Sequence, residues 1–310
     1  MRATVHVPGS TSNLGGGFDC VGMAVNRWLT ATVVIDESRM GVTMSRAGSL
    51  ASLTCDAADD LLHTGFHAAC ARAGRALPVH MAFDVTSTIP VARGLGSSAA
   101  ALVAGAALAD AALSLGLGTH VIATLASQIE GHPDNASPAA FGGAMLGVAR
   151  DDATAFAPCT YTFSPLTVHA TLAFIFAVPP MEVTTAAARA VLPAHVSFGD
   201  AVSAVQRSAA LVHGLATGDA DLLARALDDV LHVPYRRQLV PGYDAIVQAA
   251  CAAGAFGGTL SGSGSAMLAI GRPEQAKEIA DAMQVAFADV GLTAETLVTD
   301  GAVGGLWTEP

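Results

Sequence analysis

The run Pro90-Val91-Ala92-Arg93-Gly94-Leu95-Gly96-Ser97-Ser98-Ala99-Ala100 sets a glycine-rich turn directly before a long alanine-rich stretch, and nothing else constrains this chain as strongly. Gly94 and Gly96 permit a tight turn and the close approach of a ligand to the backbone. Residues from Ala99 to about Leu115 read as a helix, with the Ser97 and Ser98 hydroxyls at its start. A helix N-terminus behind such a loop offers unpaired N–H groups and the positive end of a dipole. Together these favour an anion, most often phosphate. Taken alone, the two serines fit an ordinary N-cap equally well. The whole run, with Pro90, Arg93, Gly94, Leu95, Gly96, Ser97, Ser98 and Ala99, is the candidate phosphate loop.

A lysine-bearing P-loop is excluded, because the single lysine, Lys277, lies in a polar stretch that reads as a solvated helix face. A triphosphate bound here must be held by backbone N–H groups, a metal ion and arginine. The net charge of −11 and the absence of any Lys/Arg run argue against nucleic acid as a partner. The longest apolar stretch, residues 99–117, is broken by Asp110 and rich in small residues, which suits a buried helix and not a membrane span. The opening residues alternate like a strand and lack a signal-peptide core. Five cysteines (Cys20, Cys55, Cys70, Cys159 and Cys251) are scattered and odd in number, so neither a zinc site nor a disulfide framework is expected, and the location expected is cytoplasmic. A homodimer is compatible with the sequence, which does not fix the oligomeric state.

Strand patterns occur at Thr4–Val7, Ala31–Ile35, Met40–Ser45, Val79–Thr86 and Gly142–Val148, and the segment 8–19 reads as turn-rich. Helices are expected over Leu61–Ala73 and Thr119–Glu130, with 131–138 as a break. A second unit begins near Phe163, with a strand at Leu172–Val178 and helices at Thr184–Leu192, Phe198–Ala216, Asp219–Leu231, Tyr243–Ala253 and Pro273–Val290. A glycine segment lies at 257–265 and a last strand near Glu295–Thr299. Helices and strands alternate without a repeated βαβ register, so the fold class is α+β in two domains, 1–162 and 163–310.

Three glycine/serine segments, 8–19, 90–100 and 257–265, stand far apart, and each alone would be a turn. In this order they resemble the three motifs of the GHMP kinases, small-molecule kinases with a nucleotide site that is not a P-loop. Pro8-x-Ser10-x-Ser12-Asn13-Leu14-Gly15-x-Gly17-Phe18-Asp19 is similar to the opening of the branch that phosphorylates homoserine. Glu130-Gly131-His132-Pro133-Asp134-Asn135-Ala136-Ser137-Pro138, the stretch Thr184–Pro193, and His232-Val233-Pro234-Tyr235-Arg236-Arg237 extend that likeness over essentially the whole chain. Two positions depart from the pattern. Ser261–Ser265 lacks the usual proline, and Asp60 stands where an asparagine commonly lies near adenine, which leaves base specificity open.

The resemblance implies an S5-like N-terminal domain that binds nucleotide and a ferredoxin-like C-terminal domain. It implies transfer of the ATP γ-phosphoryl group to the hydroxyl of L-homoserine, a step towards threonine. Mg²⁺ would sit on Ser98 and Glu130, and a carboxylate at a helix C-terminus is indeed poorly chosen for stability. The amino-acid pocket would comprise Asn13, Asp19, His132, Asp134, Asn135, Thr185, Arg189, Arg236 and Gly262. There carboxylates meet the ammonium, the amides of Asn13 and Asn135 orient the hydroxyl, and Arg189 and Arg236 clamp the carboxylate bidentately. Arg237 is the rival to Arg236. Asn135, Ser98 and Glu130 form the implied catalytic set, with no general base evident, and Asp60 joins the ATP site. A mevalonate- or shikimate-type kinase of the same family, or a non-catalytic metabolite-binding relative, remains the alternative.

Overall fold

A computed structural model describes residues 1–36, 38, 40–150 and 160–309. Cys159 lies outside the described residues, and the other four cysteines are free thiols. The first part comprises β1 (Arg2–Asn13), β2 (Gly17–Ile35), β3 (Gly41–Gly48), α1 (Leu61–Arg72), β4 (His80–Ser87), α2 (Ser97–Leu113), α3 (Gly118–Glu130), α4 (Ala136–Phe141), β5 (Ala144–Arg150) and β6 (Thr160–Leu166). The second comprises β7 (Ala173–Val178), α5 (Thr185–Ala190), α6 (Phe198–Thr217), α7 (Ala220–Leu227), α8 (Val233–Arg236), α9 (Tyr243–Ala252), β8 (Gly257–Leu260), β9 (Met267–Gly271), α10 (Ala276–Asp289), β10 (Glu295–Thr299) and β11 (Trp307–Thr308).

Seven strands form the first sheet, in the order β11-β1-β2-β4-β3, with β5 on β2 and β6 on β5. The second sheet runs β10-β7-β9-β8, so its strands follow the ferredoxin-like β-α-β-β-α-β scheme with spatial order four-one-three-two. The expected boundary at 162/163 falls inside β6, which pairs with β5. The chain changes sheet between Leu166 and Ala173, and β11 returns to pair with β1. Among the described residues no helix is long and apolar enough to cross a membrane.

β7 is buried along its whole length because it is covered on both faces. Phe174 and Phe176 point into the core shared with the first sheet, whereas Ala173, Ile175 and Ala177 face the one closed by α9 and α10. The period of two thus joins both units through one strand.

The alanines of α2 have a packing reason. Its residues are buried from Ala99 to Ala109 with the exception of Ala101, and α1 crosses it almost backbone to backbone. A Cβ on Gly105 would lie 1.9 Å from the Leu62 carbonyl oxygen, and one on Gly65 2.2 Å from that of Leu102. Larger side chains would push the helices apart.

The turn-rich reading of 8–19 needs correction. Pro8 to Asn13 continue β1, antiparallel to β2, with register breaks between Pro8 and Gly9 and between Ser12 and Asn13. The breaks absorb the proline and the chain's change of direction, so a Gly/Ser/Pro composition survives inside a sheet. Only 14–16 turn. The expected break at 131–138 contains the start of α4, with Asn135 just ahead of its first residue.

Candidate active site

The three glycine/serine segments converge. Ser10 N–H donates to Leu95 O (3.1 Å), Gly262 N–H to Ser12 O (3.1 Å) and Ala266 N–H to Arg93 O (3.0 Å). Ser261 Oγ donates to Gly94 O at 2.6 Å and lies 2.9 Å from Thr11 Oγ1. Beside this junction lies a cavity of about 360 Å³, lined from Met44 and Leu62 at one end to Asp134 and Arg236 at the other. Its size suits a small-molecule site.

α2 begins at Ser97, two residues earlier than expected, and its cap is Gly96 in the left-handed conformation (φ +70°) with no side-chain capping bond. The ordinary serine N-cap is thereby ruled out, and Ser97 and Ser98 of the first turn, whose N–H groups have no acceptor within the helix, line the cavity. Gly96 is required by its fold neighbours as well as by any ligand, since a Cβ there would lie 2.1 Å from Ser10 Oγ. Of the loop residues, Arg93, Gly94, Leu95, Gly96, Ser97 and Ser98 line the cavity. Pro90 and Ala99 do not, and Leu95 and Ala99 carry buried side chains that belong to the core. Arg93 Nη1 is buried without a partner, and its nearest carboxylate, Glu182, is 3.9 Å from Nη2. An anion would satisfy it.

Ser98 Oγ donates to Glu130 Oε1 at 2.5 Å, joining the first turn of α2 to the last residue of α3. Glu130 Oε2 is buried with no partner. Burial pushes the Glu130 carboxyl pKa up, against the pull of His132 and of the Ser98 hydroxyl. One hydroxyl and one orphaned carboxylate oxygen form a hard-oxygen pair that suits Mg²⁺, which keeps most of its shell for waters and phosphates.

At the other end, Asn13, Asp19, His132, Asp134, Asn135, Thr185, Arg189, Arg236 and Gly262 all line the cavity. Asn13 and Asp19 take left-handed conformations (φ +72° and +56°), which Asn and Asp tolerate better than other non-glycine residues. The Asn13 amide is already engaged, donating to Gly262 O (3.0 Å) and accepting from Asp19 N–H (3.0 Å). Asn135 accepts from Ser10 Oγ and donates to Ser12 Oγ, each at 3.0 Å. Ser10 and Ser12 stand two apart on β1, hence on one face, and they are the supports that the sequence reading omitted. His132 Nδ1 lies 2.5 Å from Asp134 Oδ1 in a buried pair. Burial alone would lower the His132 pKa, but the hydrogen bond and charge of Asp134 outweigh it and raise it.

The two arginines of the expected clamp already have protein partners. Arg189 spans both carboxylate oxygens of Asp19, at 2.8 and 3.2 Å. Arg236 is 2% exposed, with Nε donating to Ala188 O (3.1 Å) and Nη1 reaching His232 Nδ1 (3.3 Å) and Gly262 O (3.5 Å). A bidentate edge is therefore not available on Arg236, since only Nη2 is without a protein partner among the described residues. Arg237 is instead a surface residue, paired with Asp244 at 3.0 Å. Asp60 caps α1 through Leu62 N–H (2.9 Å), and its Oδ2 receives Arg46 Nε and Nη2 at 3.0 and 2.8 Å. That pair stands at the apolar end of the cavity, so Asp60 reaches the site already bound to an arginine that the sequence reading did not single out.

Residues 56–143 match the family model "GHMP kinases N terminal domain" and residues 211–289 match "GHMP kinases C terminal". A homoserine kinase of Moorella thermoacetica is 39% identical over 291 residues, covering 93% of each chain. One from a Picosynechococcus is 37% identical over 293 residues, covering 94% of this chain and 93% of its own. The crystal structure of homoserine kinase from Cytophaga hutchinsonii superposes with a TM-score of 0.86 at 27% identity, covering 99% of this chain and 97% of its own. The chain belongs to the GHMP kinases and, within them, to the homoserine kinase family.

Proposed function

We propose that the chain transfers the γ-phosphoryl group of ATP to the side-chain hydroxyl of L-homoserine, giving O-phospho-L-homoserine and ADP. The observation that carries this reading is the pairing of Asp19 with Arg189 inside the same cavity as the glycine loop. A site that holds a carboxylate and a guanidinium side by side can exchange that pair for the ammonium and carboxylate of a zwitterion. Mevalonate and shikimate bring a carboxylate and no ammonium, and would leave Asp19 without its partner.

Phosphoryl transfer asks mainly for positioning and for neutralised charge. The N–H groups of the first turn of α2 and the buried Arg93 Nη1 supply donors for the phosphates. Ser98 Oγ and Glu130 are the groups that would hold Mg²⁺, which when bound neutralises charge on the transferring phosphoryl group. Asn135, fixed between Ser10 and Ser12, keeps an amide at the junction of the two ends and orients the attacking hydroxyl. Arg189 and Nη2 of Arg236 face the substrate carboxylate, and Asp19 with Asp134 faces the ammonium.

An ADP-release assay across homoserine, mevalonate, shikimate and galactose tests the reading. Homoserine should turn over well above the others, and faster turnover of mevalonate or shikimate would overturn it.

A further inference from the structure

Arg236 carries its charge in a buried position with no carboxylate within 4 Å among the described residues, so something other than an ion pair must fix its direction. His232, one helical turn earlier, is fully buried and lies between two parts of the site. Its Nε2 is 3.2 Å from Gly15 O, which can only accept, so Nε2 carries the proton. Its Nδ1 then has a free lone pair, 3.3 Å from Arg236 Nη1, which can only donate. Gly15 belongs to the turn that follows Asn13, and Arg236 is the last residue of α8. The imidazole also stacks on Phe18 (4.8 Å between centroids), and the Arg236 guanidinium lies over the same ring at 5.2 Å.

We propose that His232 is a positioning residue: a neutral imidazole whose Nε2–H ties down the Asn13–Asp19 turn and whose Nδ1 aims Arg236, so that it fixes the span between the ammonium end and the carboxylate end of the amino-acid site. This rests on the homoserine reading above. The charged groups around the ring are Asp229, with Oδ2 3.7 Å from Nε2, Arg236 and, further off, Asp19. Asp229 already accepts the N–H groups of Leu231, His232 and Val233, which holds its carboxylate to the backbone of α8. Burial lowers the His232 pKa, in keeping with a ring that stays neutral.

The two amide isosteres of histidine separate the two bonds. His232→Asn keeps an acceptor at the Nδ1 position, and His232→Gln keeps a donor at the Nε2 position. If Nδ1 aims Arg236, His232→Gln should raise KM for homoserine by about 10-fold with kcat and KM for ATP within about 3-fold, and His232→Asn should shift KM less. In an Arg236→Leu background, His232→Gln should add almost nothing to KM. An unchanged KM in His232→Gln, or a full additional loss in that background, would overturn the proposal. Ring ¹⁵N NMR of the unmutated protein supplies a test that needs no variant to fold. A neutral Nε2–H tautomer from pH 6 to 8 is expected, and an Nδ1–H or doubly protonated ring would sink the idea. Absence of homoserine turnover in the unmutated protein would instead refute the substrate reading itself.

Discussion

Glu130 is the residue at which stability and function pull apart. Its folded pKa lies above the ordinary 4.5, so protonation stabilises the fold fully below that value and the benefit is lost as pH rises through the folded pKa. Glu130→Gln cannot ionise and can still accept from Ser98. Without metal it should melt above the unmutated protein at pH 7, with the gap closing towards pH 4.5, as calorimetry can follow. Its kcat should fall by about 10²-fold or more. Mg²⁺ should raise the melting temperature of the unmutated protein and leave the variant unmoved. An unshifted melting temperature with near-normal turnover would return Glu130 to an ordinary helix end. The arginines give the second test at this scale. Arg236→Leu should raise KM for homoserine by about 10-fold or more with ATP affinity unchanged, because a charge-assisted donor is removed from the carboxylate end. Arg237→Leu breaks only an exposed pair with Asp244 and should be mild. A large effect at Arg237 and none at Arg236 would contradict the geometry. That Arg189 and Arg236 stand in motifs meeting at one cavity was legible from the spacing. Their pairing was not: that Arg189 meets Asp19 across 170 positions, or that Arg236 spends its Nε on Ala188, depends on tertiary contact.

Among the elements, the glycine loop and α2 act together, and both show what composition conceals. The alanine-rich stretch was legible as a helix, but its close crossing with α1 was not, since pattern alone does not say which backbone a glycine admits. Gly105→Ala should destabilise the fold by about 1–3 kcal/mol by chemical denaturation, as overpacking of a tight contact does, even though alanine is the better helix former. A stabilised variant would contradict the crossing. Gly96→Val meets Ser10 Oγ and needs a left-handed valine, so it should lose nucleotide binding and also loosen the join between β1 and the loop. Unchanged nucleotide affinity by calorimetry would place the phosphates elsewhere. Pro8 to Asn13 mark the opposite error. Gly, Ser and Pro read as turn residues locally, and only the pairing with β2 shows that they are a bulged strand.

For the molecule as a whole, the site exists because distant segments meet: β1, the loop before α2, α5, α8 and the turn after β8 each contribute to one cavity. The α+β class was legible from the alternation of patterns, whereas the two sheets were not. The division was less so, because β6 and β11 join the first sheet from either side of the second. In the function proposed above, one cavity binds both charges of a zwitterion while presenting its hydroxyl to ATP. The most direct measurement is kcat/KM for L-homoserine against 4-hydroxybutanoate, which keeps the carboxylate and the hydroxyl but lacks the ammonium. Half-buried Asp19 and buried Asp134 would then lack the ammonium they face, and kcat/KM should fall by about 10³-fold or more. Values within 10-fold of each other would contradict the account.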